Sequence, residues 1–134
     1  MTTTHRYKAA VIIPSRGGAG ILHYPLDALT AQTEKDFQVI VVLDGDIDNS
    51  EAVLDRYIAE GKLNLTKIVF EENRGRVAAL NAGHRAADAD ILIRCDDDLQ
   101  PDPNYVANHL KYHEGPGEHG VIGIYLNQFP DTPY

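Results

Sequence analysis

"FQVIVVLDGD", Phe37–Asp46, is the stretch on which the fold turns. Its apolar residues run without alternation and are mostly β-branched, the pattern of a strand covered on both faces, as in a parallel sheet between helices. The run stops in an acidic turn, where Gly45 permits a backbone conformation closed to other residues.

Moving outward, the same grammar recurs. "YKAAVIIP" (Tyr7–Pro14) precedes it as a first strand, while "LTKIVFE" (65–71), "DILIRC" (90–95) and "GVIGIYLNQ" (120–128) read as third, fourth and fifth strands. Between them lie helix-like segments. "YPLDALTAQ" (24–32) has Pro25 in a first turn, with Leu22, Leu26 and Leu29 at helical spacing. "DNSEAVLDRYIAEGK" (48–62) offers a capping box, Asp48 and Glu51, an apolar face of Val53, Leu54, Tyr57 and Ile58, and a stop at Gly61. "GRVAALNAGHRAADA" (75–89) reads as a helix of small residues able to pack closely on a sheet. A last helix is expected from Asp102 and Pro103 to Glu114, ended by Gly115 and Pro116. Strands alternating with helices imply βαβ units, right-handed crossovers and a mainly parallel α/β sheet.

The 134 residues, 43% of them hydrophobic, suit one domain over 1–134, with no internal repeat or low-complexity tract. A formal net charge of -8 provides no basic stripe, which disfavours a nucleic acid polymer as partner. Small phosphorylated ligands stay open, because a bound divalent cation can supply the missing positive charge. The single Cys95 excludes an intrachain disulfide and reads as a small buried hydrophobe. The start, "MTTTHRYKAA", shows no leader pattern, and no apolar run reaches the length of a membrane span, so a cytoplasmic location is expected.

In parallel sheets, ligands bind beyond the carboxyl ends of the strands. There the turns hold "SRGGAG", "DGDIDN", "ENRGR" and "DDDLQP". Asp96, Asp97 and Asp98 repel one another and raise their own pKa values unless a cation or donors compensate. Hard oxygen ligands of this kind suit Mg2+ or Mn2+ bound with substrate phosphates, whereas an isolated acidic triplet is more often a solvated turn ahead of a helix. Asp44 can accept hydrogen bonds from a base or ribose, or close its own turn. Arg74 and Arg76 stand near a helix start, where amides and dipole favour anions. "SRGGAG" fits neither the Rossmann nor the Walker glycine pattern. His109 and His113 read as a polar helix face, and Ser15 lacks the nucleophile-elbow context.

Taken together, "LDALTAQTEKDFQVIVVLDGD", "NRGRVAALNAG" and "ILIRCDDDLQPDP" resemble family 2 glycosyltransferases, inverting enzymes of the Rossmann-like GT-A fold that use nucleotide-sugar donors. The resemblance runs from Tyr7 to about Gln128. It implies that Asp44 recognises the nucleotide base, that Pro14, Ser15 and Arg16 border it, and that Arg76 lies near base or diphosphate. It further implies that Asp96 lies near the ribose, with Asp97 beside it, and that Asp98, with Asp96, binds Mn2+ or Mg2+ on the diphosphate of a UDP- or GDP-sugar. "PSRGG" and Leu43 depart from the family's usual residues. Members continue well past the position of Tyr134, so the expectation is the donor-binding half, with the acceptor half missing and no residue assigned as catalytic base. An uncovered sheet edge would then favour self-association. Two other readings remain: a non-catalytic nucleotide-sugar-binding module, and a sugar nucleotidyltransferase suggested by "IIPSRGG".

Overall fold

The computed structural model of the chain describes residues 5–114. Within them the order is β1 (Tyr7–Ser15), α1 (His23–Thr30), β2 (Phe37–Leu43), α2 (Ser50–Glu60), β3 (Leu65–Val69), α3 (Arg76–Ala86), β4 (Ala89–Arg94) and α4 (Tyr105–Tyr112). The strands form one sheet in the order β3-β2-β1-β4, with every pairing parallel. The expected fifth strand lies outside the described residues.

Strand identity follows from burial. All of β2 is buried, as is β1 from Ala9 onward, which is what their unbroken apolar runs require. β3, at one side of the sheet, is only partly buried. On one face Val11, Ile13, Val39, Val41, Leu43 and Ile93 pack against Leu26 and Leu29 of α1, Leu54 of α2 and Val106 of α4. On the other face Ile12, Ile40 and Val42 pack against Ala79 of α3. The reversal explains this division. From β1 to β3 the chain steps in one direction, then α3 carries it back across the sheet to β4, and right-handed crossovers put that return on the opposite face.

The small residues of α3 allow a close approach. A Cβ added at Gly83 would lie 2.5 Å from Cγ2 of Ile12, a fully buried residue of β1.

Two helix starts differ from expectation. Asp46, not Asp48, caps α2: its carboxylate accepts from the Ser50 amide at 2.8 Å and from the Glu51 amide at 3.4 Å. This is possible because Asn49 takes the left-handed conformation (φ 64°) and turns the chain back over Asp46. α4 begins at Tyr105, because Asp102 spends its carboxylate on the Asn104 amide and its carbonyl on Tyr105, forming a turn ahead of the helix. Gly61 ends α2 in the left-handed region as its position suggests. Among the described residues, no helix is long and apolar enough to cross a membrane.

Candidate functional site

Parallel pairing places the carboxyl ends of all four strands on one edge of the sheet. The backbone ladder carries on into the turns: the Asp44 amide donates to the Ser15 carbonyl, Phe70 to Leu43, and Cys95 to Ile12, each at 2.9 Å. Strand order then decides which turns meet. The turn after β1 lies between those after β2 and β4.

The acidic side chains stitch these turns together. The Ser15 hydroxyl donates to Oδ2 of Asp97 at 2.7 Å, joining the first turn to the fourth. Gly18 is buried beside this pair, and a Cβ there would lie 2.3 Å from the Ser15 oxygen. Asp48 accepts from the Ala19 amide at 3.0 Å and from the Ser50 hydroxyl, joining the second turn to the first. Asp44, 7% exposed, accepts from the amides of Arg74 and Gly75 at 2.5 and 2.9 Å, joining the second turn to the third.

The aspartate triplet is divided rather than pooled. Burial pushes the Asp97 carboxyl up from its ordinary pKa, the Ser15 hydrogen bond opposes this, and the like charges of Asp98 and Asp96 push it further up. Asp96 receives Nε and an Nη of Arg94, each at 3.3 Å. Asp98 is exposed and has no hydrogen bond or ion pair among the described residues. Arg16 and Arg76 are exposed on the same edge, Pro14 is buried beneath it, and the Arg74 guanidinium lies 4.8 Å from the Phe70 ring centroid. All the residues expected at the site thus sit on one edge, although Asp44 and Asp97 face into the protein.

Cys95 is fully buried, and burial drives its thiol up to about 12, which suits the inert role read from the sequence. His109 is pushed down, chiefly by burial, and packs edge-on against Tyr105. A surface groove lined by Lys8, Glu34, Asp90, Ile91 and Leu110 lies toward the amino ends of β1 and β4, away from the acidic turns.

Among the described residues, no group of three or more His, Cys, Asp or Glu side chains can hold a metal ion by itself. One or two carboxylates completed by phosphate oxygens and water is nevertheless an ordinary Mg2+ arrangement, and Asp98 with the second oxygen of Asp96 fits it. Sequence reasoning missed Asp46, Gly18 and Arg94, and read Asp48 as a helix cap rather than as the tether to Ala19. Their signal was spread thin: Asp48 and Gly18 meet partners from other turns, Arg94 belongs to an ordinary strand end, and Asp46 competes with Asp48 for the same helix start.

Comparison with known proteins agrees with this architecture. The family model described as glycosyl transferase family 2 matches residues 10–133. A validoxylamine A glucosyltransferase of Streptomyces hygroscopicus subsp. jinggangensis is 37% identical over 137 residues, covering 98% of this chain and 32% of the relative. The uncharacterized glycosyltransferase YfnE of Bacillus subtilis is 35% identical over 119 residues, covering 88% of this chain and 30% of the relative. This chain therefore spans about a third of the length of these curated relatives. Among solved structures, the mannosyltransferase PcManGT from Pyrobaculum calidifontis, in complex with GDP-Man and Mn2+, superposes with a TM-score of 0.76 at 30% identity. That match covers 84% of this chain and 34% of the other. S. aureus TarS in complex with UDP-GlcNAc shares the fold, with a TM-score of 0.73 at 23% identity over 78% of this chain and 30% of the other. The parallel sheet is the GT-A arrangement, and the chain belongs to glycosyltransferase family 2.

Proposed function

We propose that this chain forms the donor-binding part of a metal-dependent glycosyltransferase. The reaction moves a sugar from a nucleoside diphosphate to an acceptor hydroxyl, with inversion at the anomeric carbon. One observation carries the reading: four turns at the carboxyl edge of a parallel sheet are tethered to one another while Asp98 is exposed, with no hydrogen bond or ion pair among the described residues. The family membership and the GDP-Man and Mn2+ found with PcManGT support it.

In this reading Asp98 and Asp96 hold Mn2+ or Mg2+, which when bound would act as a Lewis acid toward the leaving diphosphate. Pro14, Ser15 and Arg16 border the nucleotide base, with Asp44 behind them. Arg76 lies on the diphosphate side, where its charge offsets that of the phosphates. Asp97 holds the acidic turn against Ser15, so that its neighbours need not reorganise when the donor arrives. Arg94 steadies one oxygen of Asp96, which leaves the other for the metal on the side where the ribose would lie. The base that takes the acceptor proton is assigned to none of residues 5–114.

Titration of the purified chain with UDP, GDP and CDP, with and without Mn2+, tests the proposal by calorimetry and thermal melting. A nucleotide at a hundred times its dissociation constant should add about 2.7 kcal/mol of stability. Stabilisation by one nucleotide, dependent on Mn2+ and abolished in Asp98→Ala without a change in the ligand-free melt, is expected. Retained Mn2+-dependent affinity in Asp98→Ala would overturn the metal role, and a folded chain that binds no nucleotide would overturn the donor site.

A further inference from the structure

Gln32, just past the end of α1, carries a primary amide and yet is only 1% exposed. Burial of such a group is tolerable only where its donors and acceptor are met, and here all of them are. Nε2 donates to the Ala28 carbonyl at 3.1 Å, within its own helix, and to the Asp102 carbonyl at 2.7 Å, 70 residues further along the chain. Oε1 accepts from the Val106 amide at 3.0 Å. Val106 lies in the first turn of α4, where backbone amides lack partners inside the helix, so Gln32 caps α4 from another element. Thr33 adds to the same junction: its amide donates to the Pro103 carbonyl and its hydroxyl to Oδ1 of Asn104, each at 2.9 Å.

Capping accounts for the bond to Val106 but not for the bond to Asp102, which falls on the loop that leaves the acidic turn. That loop is fastened at one end by Asp97 on Ser15 and at the other by Asp102 on Gln32. Between the anchors Leu99 packs against the core and Pro101 is buried, while the side chains of Asp98 and Gln100 have no hydrogen bond among the described residues. Asp98 thus stands in a short span held at both ends, one residue beyond the first anchor and four short of the second.

We infer that Gln32 is a positioning residue of the donor site: by holding the Asp102 end of this loop it sets where Asp98 stands for the metal, touching neither metal nor nucleotide. This role rests on the donor-site reading above. It differs from helix capping in what it changes. A cap alone alters stability, whereas a positioning residue alters the gain in nucleotide affinity that Mn2+ brings and leaves the metal-free affinity as it was.

The test compares the unaltered chain with Gln32→Leu below their melting temperatures, by amide hydrogen exchange at Val106 and Leu99 and by calorimetric affinity for UDP, GDP and CDP with and without Mn2+. Gln32→Leu keeps an apolar bulk at the junction and loses every side-chain bond. Exchange should quicken at Leu99 as well as at Val106, because the Leu99 amide is bonded to the Asp96 carbonyl at 3.3 Å, inside the acidic turn. The Mn2+-dependent gain should fall about ten-fold, the lower end of what is lost when a group supporting a metal ligand is removed, with metal-free affinities and the order of nucleotides unchanged. Gly83→Ala, which burdens the contact of α3 with Ile12 on the other face of the sheet, is the control for lowered stability and should leave the gain intact. If Gln32→Leu does not fold, Thr33→Val, an exposed change that removes only the hydroxyl's bonds, should show the same pattern at smaller size.

Faster exchange confined to Val106, or an unchanged Mn2+-dependent gain in whichever variant folds, would overturn the inference and leave Gln32 a cap of α4. An equal loss of affinity with and without Mn2+ would overturn it too, since the whole site rather than Asp98 would then have moved. Failure of the unaltered, folded chain to bind any of the three nucleotides removes the donor-site reading and this role with it, and is recognised in the parent chain alone.

Discussion

Asp48 sits ahead of α2 and yet serves the turn after β1. The Ser50 hydroxyl first, and the Ala19 amide second, hold its carboxyl below the usual value, with slight burial opposing them. A carboxyl whose folded pKa is depressed stabilises the fold fully above its unfolded value, about 3.9, and loses that contribution as pH falls through the folded value. Acidification below about pH 4 should therefore release the Ala19 amide, seen as a titrating amide shift by NMR. In Asp48→Asn the transition at Ala19 should vanish, and an unchanged titration would assign the tether to another group. The tether itself was not legible beforehand. "DGDIDN" announces an acidic turn, but Asp46 and Asp48 are equally good caps on paper. Only the left-handed Asn49 decides between them, giving the helix to Asp46 and freeing Asp48 for its neighbour.

At the scale of elements, the close contact between α3 and β1 makes a prediction of definite sign. Replacing Gly83 by Ala gains about 1 kcal/mol in helix propensity. It also forces a methyl to within 2.5 Å of Ile12 Cγ2, on a strand that cannot yield because β2 and β4 hold both its edges. Overpacking of this kind costs about 1–3 kcal/mol. Gly83→Ala should therefore lower the urea midpoint, by a net of about 1 kcal/mol, and an unchanged or raised midpoint would show that α3 can lift from the sheet. The elements were largely readable, because β1 and β2 are buried on both faces and α2 carries its stop at Gly61. The start of α4 was not: Asp102 and Pro103 look like cap and first turn, but the Asp102 carboxylate is satisfied by Asn104, which delays the helix to Tyr105.

Over the whole molecule, a formal net charge of -8 sets how an anionic donor is met. Without a divalent cation, a nucleoside diphosphate approaching Asp96 and Asp98 is repelled, and salt screens that repulsion over about 8 Å at 0.15 M. Metal-free nucleotide affinity should therefore rise with ionic strength, opposite in sign to the fall seen when basic proteins bind nucleic acids. Calorimetry in EDTA over a salt series checks this, and an affinity that falls with salt would mean that Arg16 and Arg76 outweigh the acidic groups. The location of this edge was predictable from the alternation of apolar runs and turns. Strand order was not, since similar segments precede β2 and β4, and only the order β3-β2-β1-β4 brings Ser15 beside Asp97. Those cross-turn bonds bear on how such a scaffold can be re-engineered. Transplanting a single loop from a relative to change donor preference would sever a partner it does not bring along; Ser15 with Asp97, Ala19 with Asp48, and Asp44 with the Arg74–Gly75 segment must travel as pairs.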